Sequence, residues 1–464
     1  MGRLIARENE MGTLESEYSS SGASLVVVYG RRRVGKTTLI TEFMGRHPNG
    51  LYILAREAPI ENNLAMFQQK IGDYLGVGRL GSDWADLLKS LRGRDPGGRM
   101  VVAIDEFQYL AQDDSSFLSE LQDAWDTCLK DLNIMLILCG SYRRMMESQL
   151  LNSNSPMYGR RTAQILLRPI PFDRYHEFFP DMSERELVES YSVTGGVPKY
   201  IETFSGGGEI FTAIRDKVLN PDSYLHSEVA FILSGEVTDM KGSMPLMAAI
   251  SGGSRKLSDI SSRVGLKQTD ITKALQTLRG LDLVDREVPV TEGDPSKSKS
   301  GLYRISDRYF DFWFRYVYPY QDMLESRHPE YVEARIRETF VQGYVSFVYE
   351  GLCREQIWHI DEVALRLLPT RVGRYWGKGA DDTDVVVMDD VGKRIMVGEC
   401  KYSESPKDTR VMKGLKGRMD ALSRLTGYEP AGYIVFSMSG FTDDMREYAE
   451  RNGVILVEGV TGRL

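Results

Sequence analysis

The chain has 464 residues, of which 42% are hydrophobic and 27% are charged, and its formal net charge is −8. This balance is typical of a globular protein with more than one core, and it excludes a disordered, collagen-like or disulfide-scaffold protein. The negative charge excludes a globally basic nucleic-acid coat, although it does not exclude a local basic face.

Cysteine usage and the length of the apolar runs bear on the compartment. None of the cysteines forms a C-x-x-C pair, so we expect neither a zinc knuckle nor a disulfide frame; they are Cys128, Cys139, Cys353 and Cys400. A reducing, cytoplasmic location is therefore the expectation. The charged segment Met1–Glu10 does not resemble a signal peptide. Runs such as Ile134–Cys139 are far shorter than the roughly 18 residues of a membrane span, so we expect no membrane partner.

Residues 1–170 have the pattern of an α/β domain with a parallel sheet. Short hydrophobic runs alternate with segments long enough for crossover helices. Continuous runs of this kind are typical of parallel strands buried on both faces; they are Leu25–Tyr29, Leu51–Ala55, Met100–Ile104 and Ile134–Cys139. The sequence thus predicts a doubly wound core as the first part of a multidomain α/β chain.

A complete G-x-x-x-x-G-K-[ST] motif directly follows the first predicted strand, and Thr38 opens the helix after it. In this context the motif predicts a phosphate-binding loop, because its glycines let main-chain N–H groups curl around phosphates. Lys36 is expected to reach the β and γ oxygens of ATP, and Thr37 to offer its hydroxyl to Mg²⁺. The loop residues are Gly30, Arg31, Arg32, Arg33, Val34, Gly35, Lys36 and Thr37.

An acidic pair follows the predicted strand Met100–Ile104. Asp105 would hold the Mg²⁺ shell through water, and Glu106 would orient or activate the attacking water. The alternative is a pair of carboxylates on a solvated surface. Because a full phosphate loop precedes the pair, we favour the nucleotide site.

Three more polar residues are candidates for contact with the γ-phosphate. Ser141 follows the strand Ile134–Cys139 and is interpreted either as a phosphate sensor or as a turn serine. Arg160 and Arg161 are candidates for an arginine finger, acting within the chain or from a neighbouring subunit of a homo-oligomer. The alternative is a pair of solvated charges.

Residues 171–240 are predicted to form a helical lid, and residues 241–310 a winged helix with two strands around a polar loop. Residues 241–300 contain ten Lys/Arg and seven Asp/Glu, a net charge of +3. The outer face of the second helix, Thr269–Leu281, is a candidate surface for DNA; it carries Lys267, Gln268, Thr272, Lys273, Gln276 and Arg279. The alternative is a module for packing or protein contact.

The segment Tyr303–Tyr320 is dense in aromatic residues. One interpretation is a platform on which nucleic-acid bases stack. The other is a buried helix between domains, which the helical spacing of the aromatics favours.

Residues 311–464 are predicted to form a second α/β domain with an acidic site. Glu399 and Lys401 share one face of the strand Ile395–Lys401, because successive side chains of a strand alternate. Asp384 and Glu399 would hold Mg²⁺, with Glu350 as an auxiliary ligand, and Lys401 would position the nucleophile or offset phosphate charge. The expected target is a phosphodiester. The alternatives are a surface salt-bridge set and a nuclease-like fold used only for binding.

Taken together, the motifs resemble the archaeal ATPase family, in the AAA+/STAND branch of P-loop ATPases. The resemblance implies that Gly196 and Pro198 pack near the nucleotide base. It also implies a winged helix and then a C-terminal domain similar to PD-(D/E)XK restriction endonucleases. Ala6 departs from the family, which usually has glycine before Arg-Glu. The motifs are Arg7-Glu8, GRRRVGKT (30–37), IDEFQYL (104–110), LCGS (138–141), YGRRT (158–162) and GGVPKY (195–200).

Three functions are compatible with these features. The first is a nucleotide-regulated, Mg²⁺-dependent DNA nuclease, which the joint presence of Asp384, Glu399 and Lys401 favours. The second is a STAND-type regulatory switch in which ATP repositions the winged helix on DNA or protein without cleavage. The third is a chaperone-like or signalling ATPase whose C-terminal domain docks a protein partner.

Overall fold

The computed structural model describes residues 4–461, except Arg79 and residues 94–96, 114–115, 142, 154, 207 and 237–239. The chain forms two compact units, Met1–Ile170 with Val197–Lys199, and Pro171–Gly196 with Tyr200–Leu464. The predicted ATPase core, residues 1–170, falls in the first unit. Apart from Val197–Lys199, the predicted lid, winged helix and C-terminal domain fall in the second. Within the described ranges, the helices are too short or too polar to cross a membrane.

The first unit is built on a five-stranded parallel sheet with strand order β2-β3-β4-β1-β5. Its central strands are buried throughout, which explains their continuous hydrophobic sequences. The four predicted strands are confirmed, and a fifth, β5, was not predicted. The strands are β1 Ser24–Tyr29, β2 Gly50–Leu54, β3 Met100–Asp105, β4 Ile134–Gly140 and β5 Ala163–Leu166.

Helices cover the sheet, and alternate strand residues face two hydrophobic clusters. In β1, Val27 joins one cluster, whereas Val26 and Val28 join the other. Because β1, β3 and β4 pair in parallel, their carboxyl ends lie at one edge of the sheet. The helices are α1 Glu8–Ser19, α2 Lys36–Gly45, α3 Ile60–Leu75, α4 Trp84–Lys89, α5 Gln108–Asp113, α6 Phe117–Thr127 and α7 Arg143–Met146.

The second unit begins with five helices, as the sequence predicts for residues 171–240. The helix Glu184–Thr194 starts at a capping box of Ser183 and Glu186 and ends at Gly195, whose φ is 60°. The five helices are α8 Phe172–Tyr175, α9 Glu184–Thr194, α10 Pro198–Phe204, which begins in the first unit, α11 Ile210–Ile214 and α12 Tyr224–Glu236.

Three helices and a two-stranded antiparallel hairpin follow. The apolar residues Ile260, Ile271, Leu275 and Leu278 are buried, so the two helices after the first pack through the faces that the sequence predicts. Gly265, at φ 74°, ends the first of these two helices. The elements are α13 Met240–Ser251, α14 Leu257–Val264, α15 Gln268–Gly280, β6 Val284–Glu287 and β7 Leu302–Ile305.

The aromatic segment forms the helix α16, Arg308–Tyr316, and it is an interior helix. All six of its aromatic side chains are buried. The Tyr309 hydroxyl donates to the Leu225 carbonyl at 2.5 Å, and the Trp313 Nε1 donates to the His226 carbonyl at 2.7 Å. The interpretation as a core helix is confirmed, because a base-stacking platform needs exposed ring faces.

The remainder of the second unit is a mixed five-stranded sheet with helices, in the order β12-β11-β10-β9-β8. β8, β9 and β10 are antiparallel, whereas β10, β11 and β12 are parallel. The helices are α17 Gln321–Glu325, α18 Glu330–Phe340, α19 Ser346–Gln356, α20 Glu362–Leu365, α21 Met412–Thr426 and α22 Asp443–Asn452. The strands are β8 Arg371–Tyr375, β9 Thr383–Asp389, β10 Arg394–Lys401, β11 Glu429–Ser437 and β12 Val454–Glu458.

Candidate nucleotide and acidic sites

The loop between β1 and α2 has a backbone that requires glycine at both ends. Gly30 has φ 153°, and a Cβ there would lie 2.3 Å from the carbonyl oxygen of Leu167. Gly35 has φ 92°, where an L side chain is strained, and a Cβ there would lie 3.9 Å from the ring of Pro198. Arg33 adopts φ 72°, although it is not glycine. These conformations turn the loop sharply onto the N-terminus of α2, which is the geometry of an anion-binding loop.

Lys36 is the buried cation of this loop. Its Nζ donates to the carbonyl oxygens of Gly30 and Arg31, each at 2.9 Å. Only 6% of the residue is exposed. The ammonium therefore lies over the loop, within reach of a phosphate bound there.

Thr37 and Asp105 meet at the carboxyl edge of the sheet. The Thr37 hydroxyl and the Tyr52 hydroxyl both donate to Asp105 Oδ2, each at 2.7 Å. Burial, followed by the negative charge of Asp105, raises the pKa of Tyr52, so Tyr52 stays a donor. A hydroxyl and a carboxylate are hard oxygen donors, and they fit the Mg²⁺ that accompanies ATP in such sites.

Glu106 lies beside this pair and is held in a defined orientation. Its φ is 52°, and its carboxylate accepts a hydrogen bond from Gln108 Nε2 and another from Ser141 Oγ at 3.2 Å. The Ser141 main-chain N–H donates to Gln108 Oε1 at 3.2 Å. Ser141 thus contacts Glu106 from the end of β4, next to β3, as expected if both face one ligand.

Arg7 fixes the phosphate loop from outside. The side chain is buried, and its Nη2 donates to the carbonyl oxygens of Val34 at 3.1 Å and Arg168 at 2.6 Å. Its Nη1 pairs with Glu10 at 3.2 Å. Ala6, just before it, has φ 55°, a backbone region that glycine adopts without strain.

We expect Arg7→Ala to lower the free energy of unfolding by about 2–4 kcal/mol, because the buried carbonyl oxygen of Val34 and the part-buried one of Arg168 lose their donor. Denaturant unfolding measures this, and the affinity for ATP should fall as the loop loosens. Arg46→Ala is the control, since Arg46 is 49% exposed and its pairs with Glu15 and Glu42 are superficial. Equal stability of the Arg7 and Arg46 variants would show that Arg7 does not brace the loop.

The other residues predicted to contact the nucleotide differ in how far they are exposed to solvent. Val34 is fully buried, and Thr38 is exposed on α2. The side chains of Arg31, Arg32 and Arg33 are half-buried. Their roles toward ATP stay predictions.

The two finger candidates differ in their surroundings. Arg160 makes a two-pronged ion pair with Asp126, with Nε–Oδ1 at 2.8 Å and Nη2–Oδ2 at 2.6 Å. This pair raises the pKa of Arg160 and lowers that of Asp126. Arg161 is half-buried. The Asp126 carboxylate thus holds the Arg160 guanidinium in this structure, and the role of either arginine as a finger stays a prediction.

The predicted base-binding residues lie in different units. Pro198 belongs to the first unit and lies close to Gly35 of the phosphate loop. Gly196 belongs to the second unit and has φ 72°. Contact of Pro198 with a bound nucleotide is compatible with its position, and the role of Gly196 stays a prediction.

The acidic site of the second unit lies where β9 and β10 run side by side. Asp384 Oδ2 accepts a hydrogen bond from the Cys400 N–H at 3.1 Å. Glu399 is buried and accepts hydrogen bonds from Lys401 Nζ and Arg418 Nη1. Burial, and next the charge of Glu399, raises the pKa of Asp384. Asp384, Glu399 and Lys401 therefore share one site, as the alternation of strand side chains predicts.

Glu350 lies on α19, near this site. Burial and the negative charge of Asp384 raise its pKa to about 7, and Arg354 lies 3.9 Å from it. Among the described residues, no three or more His, Cys, Asp or Glu side chains converge as a metal cluster. Asp384 and Glu399 offer hard oxygens that suit Mg²⁺. Glu350 as an additional ligand stays a prediction.

The predicted outer face of α15 is open to solvent. Lys267, Lys273 and Arg279 are exposed, as are Gln268 and Gln276, and Thr272 is half-buried. In the hairpin loop Lys299 is exposed, and Lys297 pairs with Asp294 at 3.2 Å. This face presents exposed cations and amides, which suits an anionic or polar partner.

Sequence reasoning missed three side chains that shape the nucleotide site. Tyr52 and Gln108 hold the two acidic residues, and Arg7, quoted only as part of a motif, braces the loop. For Tyr52, the sequence signal for a role at the site was a hydroxyl-bearing side chain in the half-buried strand β2. The glutamine two positions after Glu106 was the signal for Gln108.

Two family models match the chain. Residues 4–204 match an ATPase domain predominantly from Archaea, and residues 313–412 match a family described as Archaea bacterial proteins of unknown function. The first match contains the phosphate loop, Asp105 and Glu106. The predicted archaeal-type P-loop ATPase is therefore confirmed, as is the activity of that domain as an ATP hydrolase.

The chain is similar to an uncharacterized protein of Methanocaldococcus jannaschii, with 29% identity over 93% of this chain and 95% of that one. An uncharacterized ATP-binding protein of the same organism is 45% identical over 9% of this chain and 70% of its own length. Among solved structures, the Walker-type ATPase of Pyrococcus abyssi has a TM-score of 0.48 and 20% identity, covering 67% of this chain and 96% of that one. The ORC2 protein of Aeropyrum pernix has a TM-score of 0.47 and 17% identity, covering 70% and 95%.

Proposed function

Because its first unit carries a P-loop ATPase domain of the predominantly archaeal family, we propose that this chain is a nucleotide-regulated, Mg²⁺-dependent DNA nuclease. The observation that carries the nuclease proposal is the grouping of Asp384, Glu399 and Lys401 on neighbouring strands of the second unit. ATP hydrolysis in the first unit would control cleavage in the second.

In the ATPase domain, the phosphate loop binds the triphosphate and Lys36 offsets its charge. Thr37 and Asp105 would hold Mg²⁺, which neutralises charge on the phosphates when it is bound. Glu106 accepts a proton from, or orients, the attacking water, and Gln108 and Ser141 fix its carboxylate. The main-chain N–H groups of the loop stay in place during the reaction, so they cost little reorganisation.

In the second unit, α13–α15 and the hairpin β6–β7 form a winged helix that contacts DNA through α15. The support is the exposed basic and polar face of that helix and the net charge of +3 over residues 241–300. Because the whole chain carries a charge of −8, this contact should be weak and should depend strongly on salt.

At the acidic site, Asp384 and Glu399 would hold Mg²⁺, and a bound metal ion lowers the pKa of its water and so supplies a nucleophile. Lys401 offsets charge on the scissile phosphate or positions the nucleophile. Arg418 holds Glu399 from the side of α21. The grouping suits a phosphodiester, because it pairs hard oxygen donors with nearby cations.

The second candidate is a STAND-type regulatory switch that binds DNA or protein without cleavage. One observation favours it. Glu399 is already paired with both Lys401 and Arg418, and such a site is also stable as a salt-bridge network without metal. In that case ATP would reposition the winged helix rather than start cleavage.

The test is a cleavage assay with the full chain on duplex and single-stranded DNA, in Mg²⁺ and in Mn²⁺, with and without ATP. We expect Asp384→Asn to lower cleavage by about 10²–10³-fold, since a ligand oxygen contributes several kcal/mol to transition-state stabilisation. Asparagine still accepts a hydrogen bond from Cys400, so the fold should survive. The matched control is Asp382→Asn, two residues earlier and exposed.

Equal cleavage by the Asp384 and Asp382 variants would place any nuclease activity elsewhere. Absence of cleavage by the wild-type chain in every condition, with ATP hydrolysis intact, would favour the regulatory switch. Dependence of cleavage on ATP would show the direction of coupling.

A further inference from the structure

Six arginines line one small cavity of the second unit. The hairpin, the turn before α14, the interior helix α16, α19 and β8 all contribute to its wall. Three carboxylates, from Glu287, Asp311 and Glu350, also line it, so the formal charge of the wall is six minus three, or +3. The arginines are Arg255, Arg304, Arg308, Arg315, Arg354 and Arg374.

The three carboxylates have hydrogen-bond or ion-pair partners, and the wall keeps a net positive charge. Glu287 pairs with Arg374, with Oε2 at 2.9 Å from Nε and 2.8 Å from Nη2. Asp311 Oδ1 accepts from the Ser251 hydroxyl at 2.8 Å. Glu350 lies 3.9 Å from Arg354. Within the described part of the chain, Arg255, Arg308 and Arg315 form no ion pair with these three carboxylates.

Two of those arginines lack hydrogen-bond acceptors on the protein. Across the part of the chain that the structure describes, no acceptor is bonded to the guanidinium of Arg255 or of Arg308. Arg255 is half-buried and lies over the ring of Phe347, with 5.9 Å from Cζ to the centroid. Burial and the neighbouring Arg374 cation lower the pKa of Arg255, as expected where like charges gather.

Buried nitrogen atoms of two further arginines are also unsatisfied. The Nε atoms of Arg304 and Arg315 are shielded from solvent and have no hydrogen-bond partner in the described structure. A buried donor without a partner has lost its hydrogen bonds to water and gained none from the protein, which is unfavourable. A cluster of such donors destabilises the protein unless a bound ligand accepts their hydrogen bonds.

The cavity has a volume of about 50 Å³. A single water needs roughly 10–15 Å³ on the same measure, so the space takes about three or four water-sized groups. That is the size of a tetrahedral oxyanion. Guanidinium groups match phosphate oxygens by their planar, forked geometry, and they are more weakly hydrated than ammonium groups.

We propose that this arginine cavity is a binding site for a phosphate dianion, either free inorganic phosphate or the terminal phosphate of a nucleic acid. The anion would bridge the hairpin, α16 and β8 and so join the predicted winged helix to the C-terminal sheet. Arg354 connects the cavity to the acidic site, because its Nη1 donates to the Asp384 carbonyl at 2.9 Å. The site stands independently of the proposed DNA cleavage, since it needs no metal and no catalysis.

The test measures binding of inorganic phosphate to the full chain by calorimetry and by thermal unfolding, with chloride at equal ionic strength as reference. ADP and Mg²⁺ are saturating in every arm, so that the phosphate loop is filled. Phosphate should raise the Tm of the wild-type chain above that in chloride. Arg255→Gln should weaken phosphate binding by about tenfold or more, since it removes a charge-assisted hydrogen bond.

Arg255→Gln should not lower the Tm in chloride, because Arg255 lies among like charges. Arg451→Gln is the matched control, as its side chain is 76% exposed on α22. Arg304→Gln is the second variant if Arg255→Gln fails to fold. Its side chain is 39% exposed and pairs with Asp285 only at 3.3 Å.

Two further arms identify the source of the phosphate. A single-stranded oligonucleotide with a 5′-phosphate is compared with the same oligonucleotide ending in a 5′-hydroxyl. Tighter binding of the phosphorylated form, lost in Arg255→Gln, would assign the site to a nucleic-acid terminus. Arg255-dependent binding of inorganic phosphate alone would assign it to the free anion. Equal phosphate binding by the wild-type chain and the Arg255 and Arg304 variants, or none by the wild-type chain, would overturn the proposal.

Discussion

Lys36→Ala should abolish ATP binding at micromolar nucleotide and lower ATP turnover by about 10²–10³-fold, the usual effect of losing one donor to developing charge. Lys36 is the buried cation of the phosphate loop, and it donates to main-chain carbonyl oxygens of that loop. Alanine leaves Gly30 and Arg31 without this donor and leaves the phosphates without its charge. Titration with a fluorescent ATP analogue and a phosphate-release assay measure the two effects.

The matched control for that variant is Lys70→Ala, which removes an exposed lysine from α3. It should bind and hydrolyse ATP like the wild-type chain. Thermal unfolding without nucleotide separates loss of the site from loss of the fold. A folded Lys36→Ala chain that kept wild-type affinity would mean that nucleotide binds elsewhere than at this loop.

The sequence predicted those strands whose own residues form a clear hydrophobic pattern. Strands β1, β3 and β4 are buried on both faces, so their sequences are continuously apolar. β5, Ala163–Leu166, and β8, Arg371–Tyr375, were missed because both are short and only partly buried. Each exists through pairing with β1 or β9, and such pairing has no local signature.

The residues of the candidate sites also fall into two groups: those that a local motif predicts, and those that only the tertiary fold brings together. The phosphate loop and the Asp105–Glu106 pair follow from contiguous residues, so a motif predicts them. Arg7 acts on Val34 and Arg168, at separations of 27 and 161 residues, and Tyr52 acts on Asp105 at a separation of 53. Contacts of that range depend on the tertiary fold. The arginine cavity is the extreme case, since its wall draws on residues from 255 to 374 that no spacing connects.

Glu106→Gln should retain ATP binding and lower hydrolysis by about 10²–10⁴-fold, the range for loss of a general base. Glutamine has nearly the same size and keeps an oxygen for Gln108 or Ser141, so the loop and the sheet edge should stay intact. What it loses is the negative charge that accepts a proton from, or orients, the attacking water. Equilibrium binding of ATP and single-turnover hydrolysis separate the two properties.

Glu42→Gln is the matched control, because Glu42 is 40% exposed on α2 and pairs with Arg46 at 3.5 Å. Hydrolysis at the wild-type rate by Glu106→Gln would assign the base to another residue. The same variant also separates ATP binding from ATP hydrolysis as the step that controls the second unit, since it holds the chain in its ATP-bound form. If ATP binding switches the second unit on, Glu106→Gln with ATP should cleave or bind DNA persistently, and Lys36→Ala should not respond to ATP. If hydrolysis itself drives the change, both variants should be inactive, because neither completes the cycle.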